Sequence, residues 1–323
     1  YFTHHKKNII KKNNNGQIEY ENLYSNKLIE ILGKERKKND PITDTHKDIA
    51  KSAQIVYEEI FLKLLNNLYD KYKIKNLTLS GGCIMNSVAN GKILKNTPFK
   101  NIYIPPNPGD AGGAIGSAAS LINSQNKIIV KNYSFLGNKF YSEDIEKYLK
   151  INSALKKFQI KKLSLNDLIN VTAKSLTESK IIGWFQGRME WGPRALGNRS
   201  ILADPRNPNI KNIINLKIKR RESFRPFAPS VLNEFSKEWF EINKEVPFMS
   251  EVYPVKKDKQ HILPAITHVD GTGRLQTVKK QDNEKYYKLI LRFYELTNVP
   301  VILNTSFNEN EPIVRSPQEA INC

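Results

Sequence analysis

Cysteine is nearly absent, with only Cys83 and Cys323 in 323 residues. Two thiols that far apart build neither a disulfide framework nor a cysteine-based metal cluster. A reducing, cytoplasmic setting is therefore expected. No apolar run approaches the ~20 residues a membrane span needs, so no membrane partner is expected. The opening "YFTHHKKNII" has no apolar h-region and does not read as a secretory signal. No internal repeat occurs. No Walker-type loop occurs either, since no glycine spacing ends in Lys-Ser/Thr. His4 and His5 are adjacent, not three or four apart, and read as solvated.

Acids are also scarce. The chain carries 32 Asp and Glu against 51 Lys and Arg, a net charge of +19. Such an excess points either to nucleic acid or to a basic composition spread over the surface. "KK" and "NNN" runs recur along the whole chain, which favours the second reading and disfavours nucleic acid. A small anionic substrate fits the same excess. Hydrophobic residues make up 39% and aromatics 10%, enough for real cores. The length allows two domains. The chain begins without Met and stops inside a helix expected from Ser316, so it reads as a fragment at both ends.

Residues 1–45 read as irregular, with one short helix near Asn26–Leu32. From His46, apolar residues at Ile49, Ala53, Val56, Ile60, Leu64 and Leu68 predict one long amphipathic helix. "IKNLTLSGG" and "FKNIYIPP" predict strands, each followed by a glycine turn and a helix. That alternation is an α/β layout with ligands at the strand carboxyl ends. Cys83 reads as a small buried residue. A connector follows, and the pattern restarts with a helix capped by Asn166 and a strand, "KIIGWF", running into the interior. The expected division is 1–125, a connector over 126–160, and 161–323.

"QGRMEWGPRALGNRS" puts Arg188, Arg194, Arg199 and Glu190 with three glycines and a proline just after that strand. Three arginines in a glycine-rich turn call for an anion. "KRRESFRP" adds Lys219, Arg220, Arg221 and Arg225, with Phe224 and Phe227 expected to be buried between them. Charges held in fixed positions bind phosphate with less loss of side-chain entropy. "NTSFN" supplies amides and hydroxyls at Asn304, Thr305, Ser306 and Asn308. "THVDGTGRLQTV" adds His268, Asp270 and Arg274 around a D-G turn and reads as a hairpin, with Arg274 projecting. Asp110, among glycines that open a helix, reads from spacing alone as an N-cap.

In order, "HKDIAKSAQIVYEE", "LSGGCIMNSVANG", "PPNPGDAGGAIGSA", "QGRMEWGPRALGNRSILADPR", "KRRESFRPFAPSVL", "THVDGTGRLQTV" and "LNTSFNENEPIV" resemble the nodulation-type O-carbamoyltransferases. The resemblance covers most of residues 46–318. It implies an α/β protein: the C-terminal part of an actin-like ATPase-type domain, then a YrdC-like α/β domain with a twisted sheet. It implies that carbamoyl phosphate and ATP, with Mg2+, form carbamoyl-adenylate. The carbamoyl group then passes to a hydroxyl of a sugar- or antibiotic-like acceptor beside an iron-type metal. Arg188, Lys219, Arg225, Arg274 and Ser306 match the activation site. Gln186, Gly187, Glu190, Arg194, Arg199, Arg221, Asn304 and Asn308 lie beside them. Gly81, Gly82 and Asn86 match the turn that holds the adenylate in the transfer domain, and Asp110 matches the metal aspartate. The family's H-x-x-x-H pair is not in this sequence. Alternatives are a tRNA threonylcarbamoyl-adenylate synthase-like protein and an inactive nucleotide-binding relative. A homodimer stays open.

Overall fold

The computed structural model describes residues 10–20, 24–37, 39–121, 134–152, 155 and 157–323. His4 and His5 lie outside the described residues, as does part of the connector. Two compact units divide the chain, 1–67 and 68–323.

The first unit contains an antiparallel hairpin of β1 (Ile10–Lys12) and β2 (Ile18–Tyr20), which the sequence reading missed. Helix α1 (Asn26–Leu32) is where it was expected and stops at Gly33, whose φ is +85°. Helix α2 (Asp44–Tyr72) starts from Thr43, whose hydroxyl meets His46 Nδ1 at 2.8 Å. Its spacing predicts a buried face at Val56, Ile60 and Leu64. These are instead 51%, 63% and 60% exposed, while Glu58 and Leu65 are buried.

In the second unit, β3 (Asn76–Thr78) and β4 (Asn101–Tyr103) form a parallel pair. Between them runs α3 (Ser87–Asn96), capped by the Asn86 side chain, which accepts from Ala89 N at 3.2 Å. Helix α4 (Gly113–Ser120) follows β4. Cys83 is exposed, contrary to its expected burial, because it sits in a short 3-10 turn ahead of α3. Helix α5 (Ser142–Ile151) lies inside the expected connector. Helix α6 (Leu165–Thr177) is capped by Ser164, not Asn166: the Ser164 hydroxyl accepts from Asp167 N.

A six-stranded mixed sheet follows. Its strands are β5 (Ile182–Phe185), β6 (Arg199–Ala203), β7 (Ala228–Leu232), β8 (Glu251–Pro254), β9 (Thr272–Val278) and β10 (Val301–Ser306), in the order β5-β6-β10-β7-β9-β8. Only β7 and β9 pair in parallel. The "KIIGWF" strand is thus an edge and not an interior strand; Trp184 is its one fully buried side chain. Between strands lie α7 (Ile210–Ile213), which runs on as a π-turn over Ile214–Ile218, α8 (Ser236–Trp239), α9 (Lys257–Gln260) and α10 (Glu284–Thr297). Helix α11 (Pro317–Asn322) begins after Ser316. Tyr286, Leu289, Ile290 and Phe293 form one buried stripe along α10, as the 3.6-residue period requires. That stripe packs with α6 against β7 and β10. The "THVDGTGRLQTV" segment is a tight turn and not a hairpin of its own: His268 N bonds Thr272 O at 2.7 Å, and β9 takes β8 as its antiparallel partner. Among the described residues no helix is long and apolar enough to cross a membrane.

Helix α3 docks onto β8. Asn90 Nδ2 donates to Ser250 O at 2.9 Å, and a Cβ placed on Gly91 would lie 2.0 Å from Val252 O. The obstacle is backbone, which cannot swing away. Gly91→Ala should therefore cost on the order of 2–3 kcal/mol, a fall of about 4–10 °C in the thermal midpoint. An unchanged midpoint would show that α3 and β8 do not meet in solution.

Candidate active site

The glycine-rich turn after β5 is built from its own charged residues. Glu190 is buried, and its Oε1 accepts from the backbone N–H groups of Leu196, Asn198 and Arg199 at 2.7, 2.8 and 3.2 Å. Arg199 is fully buried on β6. Its Nη1 donates to Gln186 O and Asn198 O at 2.6 and 2.9 Å, and its Nη2 to Gly187 O and Asn138 O at 3.2 and 3.3 Å. Its guanidinium lies 3.6 Å from the Phe185 ring centre. Burial pushes Arg199 down to about 10, and Glu190 opposes that shift. Gln186 Nε2 ties Gly197 O, Asn198 Oδ1 and Asn283 Oδ1 together. Gly187 supplies the left-handed backbone, with φ +53°. Gln186, Gly187, Glu190 and Arg199 therefore hold the turn's shape. Arg188 is exposed and donates to Gly137 O at 3.1 Å; the structure does not bring it to the cavity described next.

Arg194, from the tip of that turn, lines a cavity of about 410 Å3 together with Arg221, Arg225, Arg274, His268, Asn304, Thr305 and Ser306. Three separate segments supply the cations. Arg274 stands on β9. Arg221 and Arg225 leave the π-turn after α7, where Arg221 Nε donates to Asn215 Oδ1 at 2.7 Å and its guanidinium sits 5.0 Å from the Phe227 ring. Phe227 is buried as expected, but Phe224 is 64% exposed, because the segment turns outward before Pro226. Arg225 pairs with Glu222 at 2.8 Å on the half-exposed rim. Arg194 Nη2 reaches Met85 O at 3.3 Å.

None of the described residues lining this cavity is an acid. Arg274 Nε is buried without a partner. Burial, then Arg194 and Arg221, push Arg274 down to about 9. Burial also lowers Arg194 and Arg221, with Arg225 adding to the shift of Arg221. His268 is lowered by burial first and by Arg274 among its neighbours, so the neutral imidazole is favoured. The cavity gathers like charges with no acid in its lining and only Glu222 at its rim as a countercharge, an arrangement that an anion completes.

Lys219 lies behind the cavity wall. It is 2% exposed, and its Nζ donates to Ser306 O, Ser306 Oγ, Asn308 O and Asn308 Oδ1 at 2.5, 3.2, 2.7 and 2.7 Å. The ammonium thus fixes the end of β10 and the Ser306 hydroxyl. Burial pushes it down to about 8, with Arg221 next among the causes.

A second cavity, about 470 Å3, opens at the carboxyl ends of β3 and β4. Gly81, Asp110, Gly112, Gly113 and Trp191 are among its lining residues. Gly81 has φ +107° and its N–H bonds Pro108 O at 2.6 Å; Gly82 opens the 3-10 turn that leads to Asn86. Asp110 is exposed and opens a short 3-10 turn. Among the described residues no three His, Cys, Asp or Glu gather where a metal could sit. Asp110 by itself is too few ligands for an iron-type ion. Trp191 faces this cavity and Arg194 the other, so a single four-residue turn borders both. Gly192, with φ +149°, lets that turn touch Pro106: a Cβ there would meet Pro106 O at 2.4 Å.

Thr305, His268 and Asn304, all named from the sequence, line the cavity, whereas sequence reasoning missed Ser230 and Gln276, which bond to each other and to Asn304. A signal was present for Ser230, a hydroxyl inside the fully buried strand β7, where burial requires a partner.

The family model described as carbamoyltransferase C-terminus matches residues 173–323, and the one described as carbamoyltransferase N-terminus matches residues 3–119. An uncharacterized protein of Synechocystis is 43% identical over 93% of this chain and 53% of its own length. Nodulation protein NolNO of Sinorhizobium fredii is 41% identical over 88% of this chain and 43% of its own. Nodulation protein NolO of Bradyrhizobium diazoefficiens is 40% identical, over 88% and 53%. The chain spans about half the length of these curated relatives.

Arg274→Met removes a buried cation that has no carboxylate partner while keeping most of its volume. The ligand-free protein should become more stable by on the order of 1 kcal/mol, or about 2–4 °C in a thermal melt. Stabilisation by added pyrophosphate should vanish in the same variant. A destabilised variant that still responds to pyrophosphate would contradict the assignment.

Proposed function

The chain belongs to the carbamoyltransferase family, and from that premise we propose that its arginine cavity activates a carbamoyl group with ATP for transfer to a hydroxyl. The observation that carries this reading is the convergence of Arg194, Arg221, Arg225 and Arg274 on one acid-free cavity. Carbamoyl phosphate and the triphosphate of ATP are the anions the family's chemistry offers. Mg2+ enters with ATP, held by phosphate oxygens, since no carboxylate lines the cavity.

In the proposed step, carbamoyl phosphate loses its phosphate to water and leaves carbamate. A carbamate oxygen then attacks the α-phosphorus of ATP, the bond to the β-phosphate oxygen breaks, and pyrophosphate departs. The product is carbamoyl-adenylate. Negative charge grows on the α-phosphoryl oxygens and on the leaving pyrophosphate. Guanidiniums already fixed in place meet that charge without reorganising, which is where most of the acceleration arises. Arg274 is the most effective of them because it is partly shielded from water and unpaired. Thr305 and Ser306, with Ser306 locked by Lys219, orient phosphate oxygens.

The C-terminal domain in this reading is the YrdC-like activating part, and residues before it supply part of an actin-like transfer part. The acceptor is a small sugar- or antibiotic-like hydroxyl compound in the Asp110 cavity. The Trp191–Arg194 turn, bordering both cavities, supports a handover from one to the other. The tRNA-modifying alternative is not favoured, since both family matches are to carbamoyltransferases.

Purified protein given carbamoyl phosphate, ATP and Mg2+ should release pyrophosphate. Omitting carbamoyl phosphate should abolish release, and Arg274→Ala should slow it by about a hundredfold or more. Release at the blank rate from protein that melts cooperatively would contradict the reading.

A further inference from the structure

Asn304 is 1% exposed and borders the arginine cavity from β10. Its side-chain nitrogen faces Ala195 O at 3.1 Å, Ser230 Oγ at 3.1 Å and Gln276 Oε1 at 3.2 Å. A backbone carbonyl can only accept, so Ala195 fixes which end of the amide is nitrogen. Gln276 is fixed in turn: its Nε2 donates to Leu196 O at 3.0 Å, and its Oε1 accepts from the Ser230 hydroxyl at 2.6 Å. Flipping Asn304 would set its oxygen against two other oxygens. Its Oδ1 is therefore committed, buried, and without a partner.

A buried acceptor left unsatisfied is costly, and native proteins seldom keep one without a use. None of the cations around the cavity donates to it. A fully ionised phosphate cannot be its answer either, since it has no hydrogen to donate. An occupant that carries an anionic phosphate and, a few bonds away, an N–H answers the cations and the acceptor together. Carbamoyl phosphate has that composition: its amide nitrogen is joined to phosphorus through one carbon and one oxygen. Acetyl phosphate has the same size, shape and charge but presents a methyl group there.

We propose that Asn304 Oδ1 accepts a hydrogen bond from the carbamoyl nitrogen and so selects carbamoyl phosphate over other small acyl phosphates. This rests on assigning the arginine cavity to carbamoyl phosphate. The Ser230–Gln276 layer holds the nitrogen end of Asn304, so the oxygen end stays the unpartnered one. A methyl group against the same atom leaves the oxygen desolvated and unpaired, which is how a hydrogen-bonding site rejects an isostere.

The test is calorimetric titration of the full 323-residue chain with freshly dissolved carbamoyl phosphate and, separately, acetyl phosphate, without nucleotide. Carbamoyl phosphate should bind about tenfold tighter or more. In Asn304→Ala the preference should shrink to about twofold or less, with acetyl phosphate the less affected ligand. Equal affinities in the wild-type protein, or an Asn304→Ala protein that keeps the full preference, would overturn the proposal while leaving the cavity's assignment to an acyl phosphate standing. Binding of neither compound would overturn that assignment and this proposal with it. Should Asn304→Ala fail to melt cooperatively, the wild-type ratio alone decides.

Discussion

A guanidinium taken out of water without a carboxylate to receive it is the constraint around which the second unit is organised. Arg274 stands on β9 with a buried, unpartnered Nε, and Arg194 and Arg221 add repulsion to the cost of its burial. Folding alone gives no reason to gather like charges in this way; an apolar side chain of similar volume would pack with less penalty. A polyvalent anion reverses the sign of every one of those interactions. The cavity is thus destabilising while empty and attractive when filled, which is the balance expected where stability has been given up for function.

That balance is possible because neighbouring charges are largely answered, although Glu190 Oε2 and Arg199 Nε are also buried without a partner. Glu190 receives three backbone N–H groups, Arg199 reaches four backbone carbonyls, and Lys219 grips both ends of the Ser306–Asn308 segment. These groups sit in the same short stretches as the cavity arginines, and they set the backbone from which Arg194 and Ser306 project. The division of labour is physical. A side chain surrounded by carbonyls is committed to the fold, whereas one surrounded by other cations is available to a ligand.

Much of this was legible in the sequence, and what was not has identifiable causes. The alternation around β3 and β4 followed from glycine punctuation, whereas β6, β7 and β8 were not read as strands, and residues of "KRRESFRP" and "NTSFN" meet at one cavity. Composition could not separate Arg194 from Arg188 and Arg199, three arginines within twelve residues. Their fates depend on sheet pairing: β6 carries Arg199 inward against Phe185, while Arg188 turns to Gly137. Asn166 and Ser164 both make good caps, and only the register of α6 decides between them. The apolar stripe of α2 follows the period faithfully and is nonetheless exposed at Val56, Ile60 and Leu64, since periodicity marks a face and not what covers it. Asp110 belongs to no group of three metal-ligating residues among the described residues, in keeping with a sequence that has no H-x-x-x-H pair.

Direct observation of the anion tests the central claim most plainly. In a crystal structure of this protein soaked with pyrophosphate, density for the anion should lie between Arg194, Arg225 and Arg274, with Thr305 and Ser306 at its edge. Pyrophosphate bound instead at Arg188 or elsewhere on the basic surface, with those three guanidiniums turned to bulk solvent, would contradict the account.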